Sequence, residues 1–186
     1  PKLVLYNFHY SQKIKCCQNS TFAVNIGKLP KGITMHQSIM AHIAVLGLGN
    51  WGSAIARLWL LDGHKVKGWT IEQEVYESIT MEGMNHKYLP DHSLDGLEAT
   101  MHVEDALDGS EIIVLALPSS VILNVVEDII QYLRPGHVLL DLAKGLAPGK
   151  RLISEAIHQM LTDNDMHNPL AVLTGPTIAP EAAGGV

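Results

Sequence analysis

From residue 41 onward the sequence alternates short apolar runs with segments whose apolar residues recur at helical spacing. "HIAVLG" (42–47) reads as a buried strand rich in branched residues, and Ile55, Leu58 and Trp59 mark one face of a helix over 53–61, stopped by Asp62-Gly63. "HKVKGW" (64–69) predicts a second strand, "IEQEVYESITMEG" (71–83) an exposed helix ending at Gly83, and "MNHKYLPDHSL" (84–94) a loop. "LEATM" (97–101) predicts a third strand, "VEDALDG" (103–109) a short helix with carboxylates early in it, and "EIIVLALP" (111–118) a continuous buried strand broken by Pro118. The clearest helix follows. Ile122, Val125, Val126, Ile129, Ile130 and Leu133 form an unbroken apolar stripe, with Ser119 or Ser120 as N-cap and Pro135-Gly136 as stop. "HVLLDLA" (137–143), "RLISEAIHQML" (151–161) and "LAVLTGP" (170–176) add a strand, a helix and a last strand. Such alternation predicts an α/β fold, a doubly wound and mostly parallel sheet with helices on both faces.

Between the first strand and the first helix stands "GLGNWG", residues 47–52. In a parallel sheet the first strand-to-helix turn is where a dinucleotide pyrophosphate sits, so this placement predicts a Rossmann-like cofactor site. Gly47 would permit the tight turn, Gly49 would let the backbone approach the phosphates, and Gly52 would let the helix pack closely. The amides that open the helix supply donors and a partial positive charge. At the adenosine end, Glu72 lies twenty residues after Gly52, where a carboxylate commonly accepts from the ribose 2′-hydroxyl. It also falls past the strand end, so a solvated carboxylate in the first turn of the next helix is the competing reading. No arginine occupies this turn to meet a 2′-phosphate, which leaves that role to Lys65 or Lys67 if either reaches round, and leans the expectation weakly toward NAD over NADP.

Composition narrows the class. Of the 186 residues, 47% are hydrophobic and 17% charged, the balance of a soluble globular chain with room for one domain. No run approaches the roughly 20 apolar residues of a bilayer span. The formal charge of −6 argues against nucleic acid as a partner. Residues 1–40 stand apart, with lysines at 2, 13, 15, 28 and 31 and no acidic residue, and are expected to be an extension of uncertain origin, disorder included. They hold both cysteines, Cys16 and Cys17, whose adjacency offers neither a disulfide nor a CxxC metal pair. With no secretory signal core, a reduced cytoplasmic setting is the expectation. None of the ten histidines forms a helical i, i+4 pair, and His86 with His92 lacks a third ligand, so no metal is expected.

Five segments in register, the Trp-Gly ending of "GLGNWGSA", "KYLP" (87–90), "LALPS" (115–119), "AKGLAPGKRLISE" (143–155) and "LAVLTGPTIAPE" (170–181), resemble the NAD(P)-dependent glycerol-3-phosphate dehydrogenases. The resemblance covers about residues 41–186. It implies hydride transfer between the cofactor nicotinamide and C2 of a small substrate, interconverting glycerol 3-phosphate and dihydroxyacetone phosphate for glycerophospholipid synthesis. It further implies that Asn50 and Trp51 touch the cofactor pyrophosphate beside Gly47, Gly49 and Gly52, and that Tyr88 and Ala179 are also cofactor-binding. Lys144 matches the catalytic lysine where nicotinamide and substrate meet, and Gly175 and Thr177 match substrate-side positions. Such enzymes carry a helical second domain, which supplies the proton-accepting lysine and is expected to be absent from this chain, and they work as homodimers when full length. Two alternatives remain at this stage: a stand-alone dinucleotide-binding module without catalysis, and the cofactor half of a related 2-hydroxy-acid dehydrogenase.

Overall fold

The computed structural model describes residues 4–7, 40–143 and 145–174. The first of these stretches is β1 (Val4–Asn7), within the lysine-rich extension. The alternating region then runs β2 (His42–Leu46), α1 (Asn50–Leu61), β3 (Lys65–Trp69) and α2 (Gln73–Glu82). After these come a small hairpin of β4 (Met84–Asn85) and β5 (Leu89–Ser93), β6 (Leu97–Thr100), α3 (Val103–Leu107), β7 (Ile112–Leu115) and α4 (Ile122–Ile129). The chain continues through β8 (Val138–Asp141), a hairpin of β9 (Leu146–Ala147) and β10 (Arg151–Leu152), α5 (Ile153–Asp163) and β11 (Leu170–Thr174).

The main sheet has the order β1-β11-β8-β7-β2-β3-β6, and every pairing within it is parallel. From β2 the chain winds outward to β3 and β6, then crosses back to β7 and on through β8 and β11. The topological switch therefore lies between β2 and β7, where sheets of this kind open a crevice at their carboxyl ends. Neighbouring residues of β2 part company as the pleat requires: Ile43 and Val45 join a core with α1 and α2, while Ala44 and Leu46 join a second core with α3, α4 and α5. Helices thus cover both faces, which is why β2 and β7 are apolar along nearly their whole length.

Several expectations hold in detail. Gly83 ends α2 in the left-handed conformation at φ +65°, Asp62 caps α1, and Trp59 is core at 4% exposure. Along the stripe predicted for α4, Ile122, Val126, Ile129 and Leu133 are buried and Val125 and Ile130 half-buried. Two expectations need correction. Neither Ser119 nor Ser120 caps α4; its N-cap is Val121, with no side-chain cap bond, because the two serines lie in the preceding turn. The segment 84–94, predicted as a loop, contains the β4–β5 hairpin, a two-residue strand against one bearing Pro90, too short and too polar to leave an alternating pattern.

Candidate functional site

The glycine turn sits at the switch point. Gly47 follows β2 at φ +100°, donates its N–H to the Trp69 carbonyl at 3.0 Å, and lies so close to the end of β7 that a Cβ there would come within 2.6 Å of the Ala116 carbonyl oxygen. Gly52 is held still more tightly: a Cβ would lie 1.7 Å from the Gly47 oxygen. These two glycines are required by the chain's own backbone. Gly49 is different. As N-cap of α1 it has φ −72° and ψ −167°, a conformation open to any residue, and a Cβ there would meet nothing within 4 Å.

What Gly49 borders is the start of α1, a twelve-residue helix with no side-chain cap bond and no acidic residue in its first turn. The partial positive charge of this helix end is therefore not offset locally, and anions are favoured there. Asn50 is exposed and Trp51 half-buried against the α1–α2 core, so the predicted residues Gly47, Gly49, Asn50, Trp51 and Gly52 are gathered in one turn and the first helical residues.

Beneath this turn lies a polar knot that sequence reasoning did not find. Asn85, in β4, is completely buried; its Nδ2 donates to the Leu48 carbonyl at 2.9 Å and to Ser53 Oγ at 2.9 Å. The buried Ser53 hydroxyl in turn donates to the Leu48 carbonyl at 3.0 Å. On its other side, Asn85 Oδ1 accepts the Tyr88 N–H at 3.1 Å. All polar groups of the knot are paired, the condition under which burying them is tolerable. Its partners lie 32 and 37 residues upstream of Asn85, so no local spacing could have signalled it.

Tyr88 is the predicted cofactor-side residue of the "KYLP" segment, and the knot ties it to the glycine turn. Its hydroxyl donates to Glu72 Oε1 at 2.8 Å, while Lys87 reaches Glu72 Oε2 at 2.5 Å and also pairs with Glu74. The Lys87 ammonium and then the Tyr88 hydroxyl hold the Glu72 carboxyl below the usual carboxylate range. Glu72 and Glu74 hold the Lys87 ammonium up, and Glu72 raises the Tyr88 hydroxyl. Glu72 is itself the N-cap of α2, three residues beyond β3. It is thus engaged with the Lys87–Tyr88 segment and is not a free solvated carboxylate.

The remaining predicted residues, Lys144, Gly175, Thr177 and Ala179, lie outside the described residues. The strands that precede them, β8 and β11, run parallel to β2 and so end at the same sheet edge. Here a second unforeseen group appears. Asp141, at the end of β8, is 2% exposed, and its Oδ1 accepts the Ala143 N–H at 2.8 Å. Burial pushes its carboxyl up to about 6, with that hydrogen bond opposing. An acid inside an apolar strand run was the available signal. Among the described residues no group of three or more His, Cys, Asp or Glu side chains is placed to hold a metal ion, and no helix is long and apolar enough to cross a membrane.

Comparison with known proteins completes the picture. The sequence model described as "NAD-dependent glycerol-3-phosphate dehydrogenase N-terminus" matches residues 42–186. Among curated relatives, glycerol-3-phosphate dehydrogenase [NAD(P)+] of Halorhodospira halophila is 37% identical over 146 residues, which is 77% of this chain and 42% of that protein. The same enzyme of Nocardia farcinica is 36% identical over 151 residues, 78% of this chain and 45% of that protein. Among solved structures, glycerol-3-phosphate dehydrogenase of Coxiella burnetii is 30% identical with a TM-score of 0.71, over 79% of this chain and 44% of that one. The chain spans less than half the length of the curated relatives it matches, 41% to 45% in these comparisons.

Proposed function

Because the chain belongs to the family of NAD-dependent glycerol-3-phosphate dehydrogenases, matching its amino-terminal, NAD-binding part, we propose that it serves the interconversion of glycerol 3-phosphate and dihydroxyacetone phosphate. The observation that carries this reading is Gly49, a glycine that neither backbone conformation nor packing demands, at the switch point of the sheet and the open end of α1. A side chain is unwelcome there if the pyrophosphate of NAD or NADP must approach the backbone.

In this reading Gly47, Gly49, Asn50, Trp51 and Gly52 bind the pyrophosphate side of the cofactor, and Tyr88 and Ala179 bind it elsewhere. The bound nicotinamide supplies hydride chemistry: in the oxidative direction C2 of the substrate gives up its hydride and the C2 hydroxyl gives up its proton to a base. Lys144 holds the substrate oxygen and steadies negative charge developing on it, with Gly175 and Thr177 contacting the same small molecule. Residues 41–186 are the cofactor-binding domain in this scheme and residues 1–40 an extension to it. The assembled enzyme is a cytoplasmic homodimer in glycerophospholipid synthesis, with no nucleic-acid partner.

Fluorescence titration of the chain with NADH and NADPH tests this, with Gly49→Val as the control. Micromolar-range binding that the substitution abolishes supports the reading. A wild-type chain that binds neither dinucleotide, or a Gly49→Val variant that binds as tightly as wild type, overturns it.

A further inference from the structure

The Leu48–Gly49 peptide is the hinge between the polar knot and the open side of the glycine turn. Two donors, Asn85 Nδ2 and Ser53 Oγ, converge on the Leu48 carbonyl at 2.9 and 3.0 Å. The peptide is trans, so a carbonyl drawn inward fixes the Gly49 N–H pointing the opposite way. No described residue accepts that N–H, and a Cβ at Gly49 would meet nothing within 4 Å. Without the two donors this peptide could rotate, since Gly49 has no Cβ to oppose the change in φ that the rotation requires and has open space beside it. The carbonyl would then face the open side and present an acceptor to the incoming ligand.

We propose that Asn85 is a positioning residue for cofactor binding, holding the Leu48 carbonyl inward, with Ser53, so that the Gly49 N–H is aimed at the pyrophosphate. The proposal rests on the cofactor reading of the glycine turn given above. It also explains the second arm of Asn85. Because Oδ1 accepts the Tyr88 N–H, one carboxamide sets the orientation of the pyrophosphate donor and the position of the "KYLP" segment together. Asn is suited to this as Asp is not: the site needs two N–H donors on one side and one acceptor on the other, which only a carboxamide supplies.

The test uses Asn85→Asp, which keeps size and the acceptor but loses both donors, and Ser53→Ala, which removes the second donor to Leu48. Affinities for NADH and for ADP, which share the pyrophosphate, are measured with each variant alone and combined with Gly49→Ala. Each is expected to weaken both ligands about tenfold, the scale of one lost hydrogen bond to a charged group. The double variants are expected to lose less than the product of the single losses, because a methyl group at position 49 blocks approach to the same N–H that the knot aims. A role confined to holding the fold together would move melting temperature without that coupling. Unchanged affinity in both variants, or losses that simply multiply with that of Gly49→Ala, overturns the proposal while leaving the cofactor reading intact. If Asn85→Asp does not fold, Ser53→Ala decides by the same criteria. A wild-type chain that binds neither NADH nor ADP overturns both.

Discussion

A methyl group at Gly52 would lie 1.7 Å from the Gly47 carbonyl oxygen, whereas one at Gly49 would meet nothing within 4 Å. The same motif therefore contains a glycine the fold requires and a glycine it does not. Gly52→Ala is expected to cost about 3 kcal/mol or more, the upper range for overpacking, whereas Gly49→Ala, where the loss of a favoured N-cap residue is opposed by a less flexible unfolded chain, should change stability by about 1 kcal/mol or less. Urea unfolding of the two variants without ligand checks this; equal losses would mean that Gly49 is structural after all. Asp141 gives a second residue-scale expectation. Its carboxyl rises from 3.8 to about 6 on folding, chiefly through burial. The folded value lies above the unfolded one, so the native state binds this proton more tightly and the ionised form opposes folding. Its contribution is most favourable below pH 4 and falls as pH rises through 6, by about 3 kcal/mol in all. Asp141→Asn keeps an acceptor for the Ala143 N–H and has no charge to bury. It should be more stable than wild type above pH 6, with the difference vanishing toward pH 4; a difference independent of pH would mean that this carboxyl does not titrate abnormally.

At the scale of elements, the parts that run long and apolar are legible in the sequence and the parts made of short or polar pieces are not. β2, β7 and the stripe of α4 announce themselves because each must bury a face against another layer, and burial writes a period into the residues. The β4–β5 hairpin has no such obligation over most of its length: Pro90 and Asp91 are exposed and His92 and Ser93 half-buried in one strand, and only Asn85 and Leu89 turn fully inward. It is held in place by Leu89 in the core and by side-chain bonds that include those of Asn85 to Leu48 and Ser53 and of Arg57 to the Ser93 carbonyl, and contacts of that range leave no local pattern. The misplaced cap of α4 has a related cause: a serine before an apolar stripe satisfies the rule for an N-cap, but the turn Ser119–Val121 puts Val121 in that position instead. Stability measurements can separate stripe from cap. Ile129→Ala, at a fully buried position, should cost about 2–5 kcal/mol. Ser120→Ala should cost less than about 0.5 kcal/mol, and a loss of ~1 kcal/mol or more would restore the serine as a cap.

For the molecule as a whole, the glycine turn and the ends of β8 and β11 come from distant parts of the chain and share one sheet edge only because every strand of the main sheet is parallel, while Asn85 ties the Tyr88 segment of the separate hairpin to that turn. That convergence was readable in advance as alternation and as the position of "GLGNWG" after the first strand. The polar knot beneath the turn and the clasp of Lys87 and Tyr88 on Glu72 were not, since they depend on which side chains the fold brings face to face. A ligand that bridges elements so far apart in sequence must stabilise the whole structure and not one loop, because its contacts exist only when the sheet is assembled. NADH at about one hundred times its Kd should therefore add about 2.7 kcal/mol to the free energy of unfolding, raising the melting temperature in a single cooperative transition. Gly49→Val should remove that increment while melting close to the wild-type temperature when ligand is absent. If instead the variant keeps the increment, the dinucleotide is held somewhere other than the glycine turn, and the open position beside Gly49 has another cause.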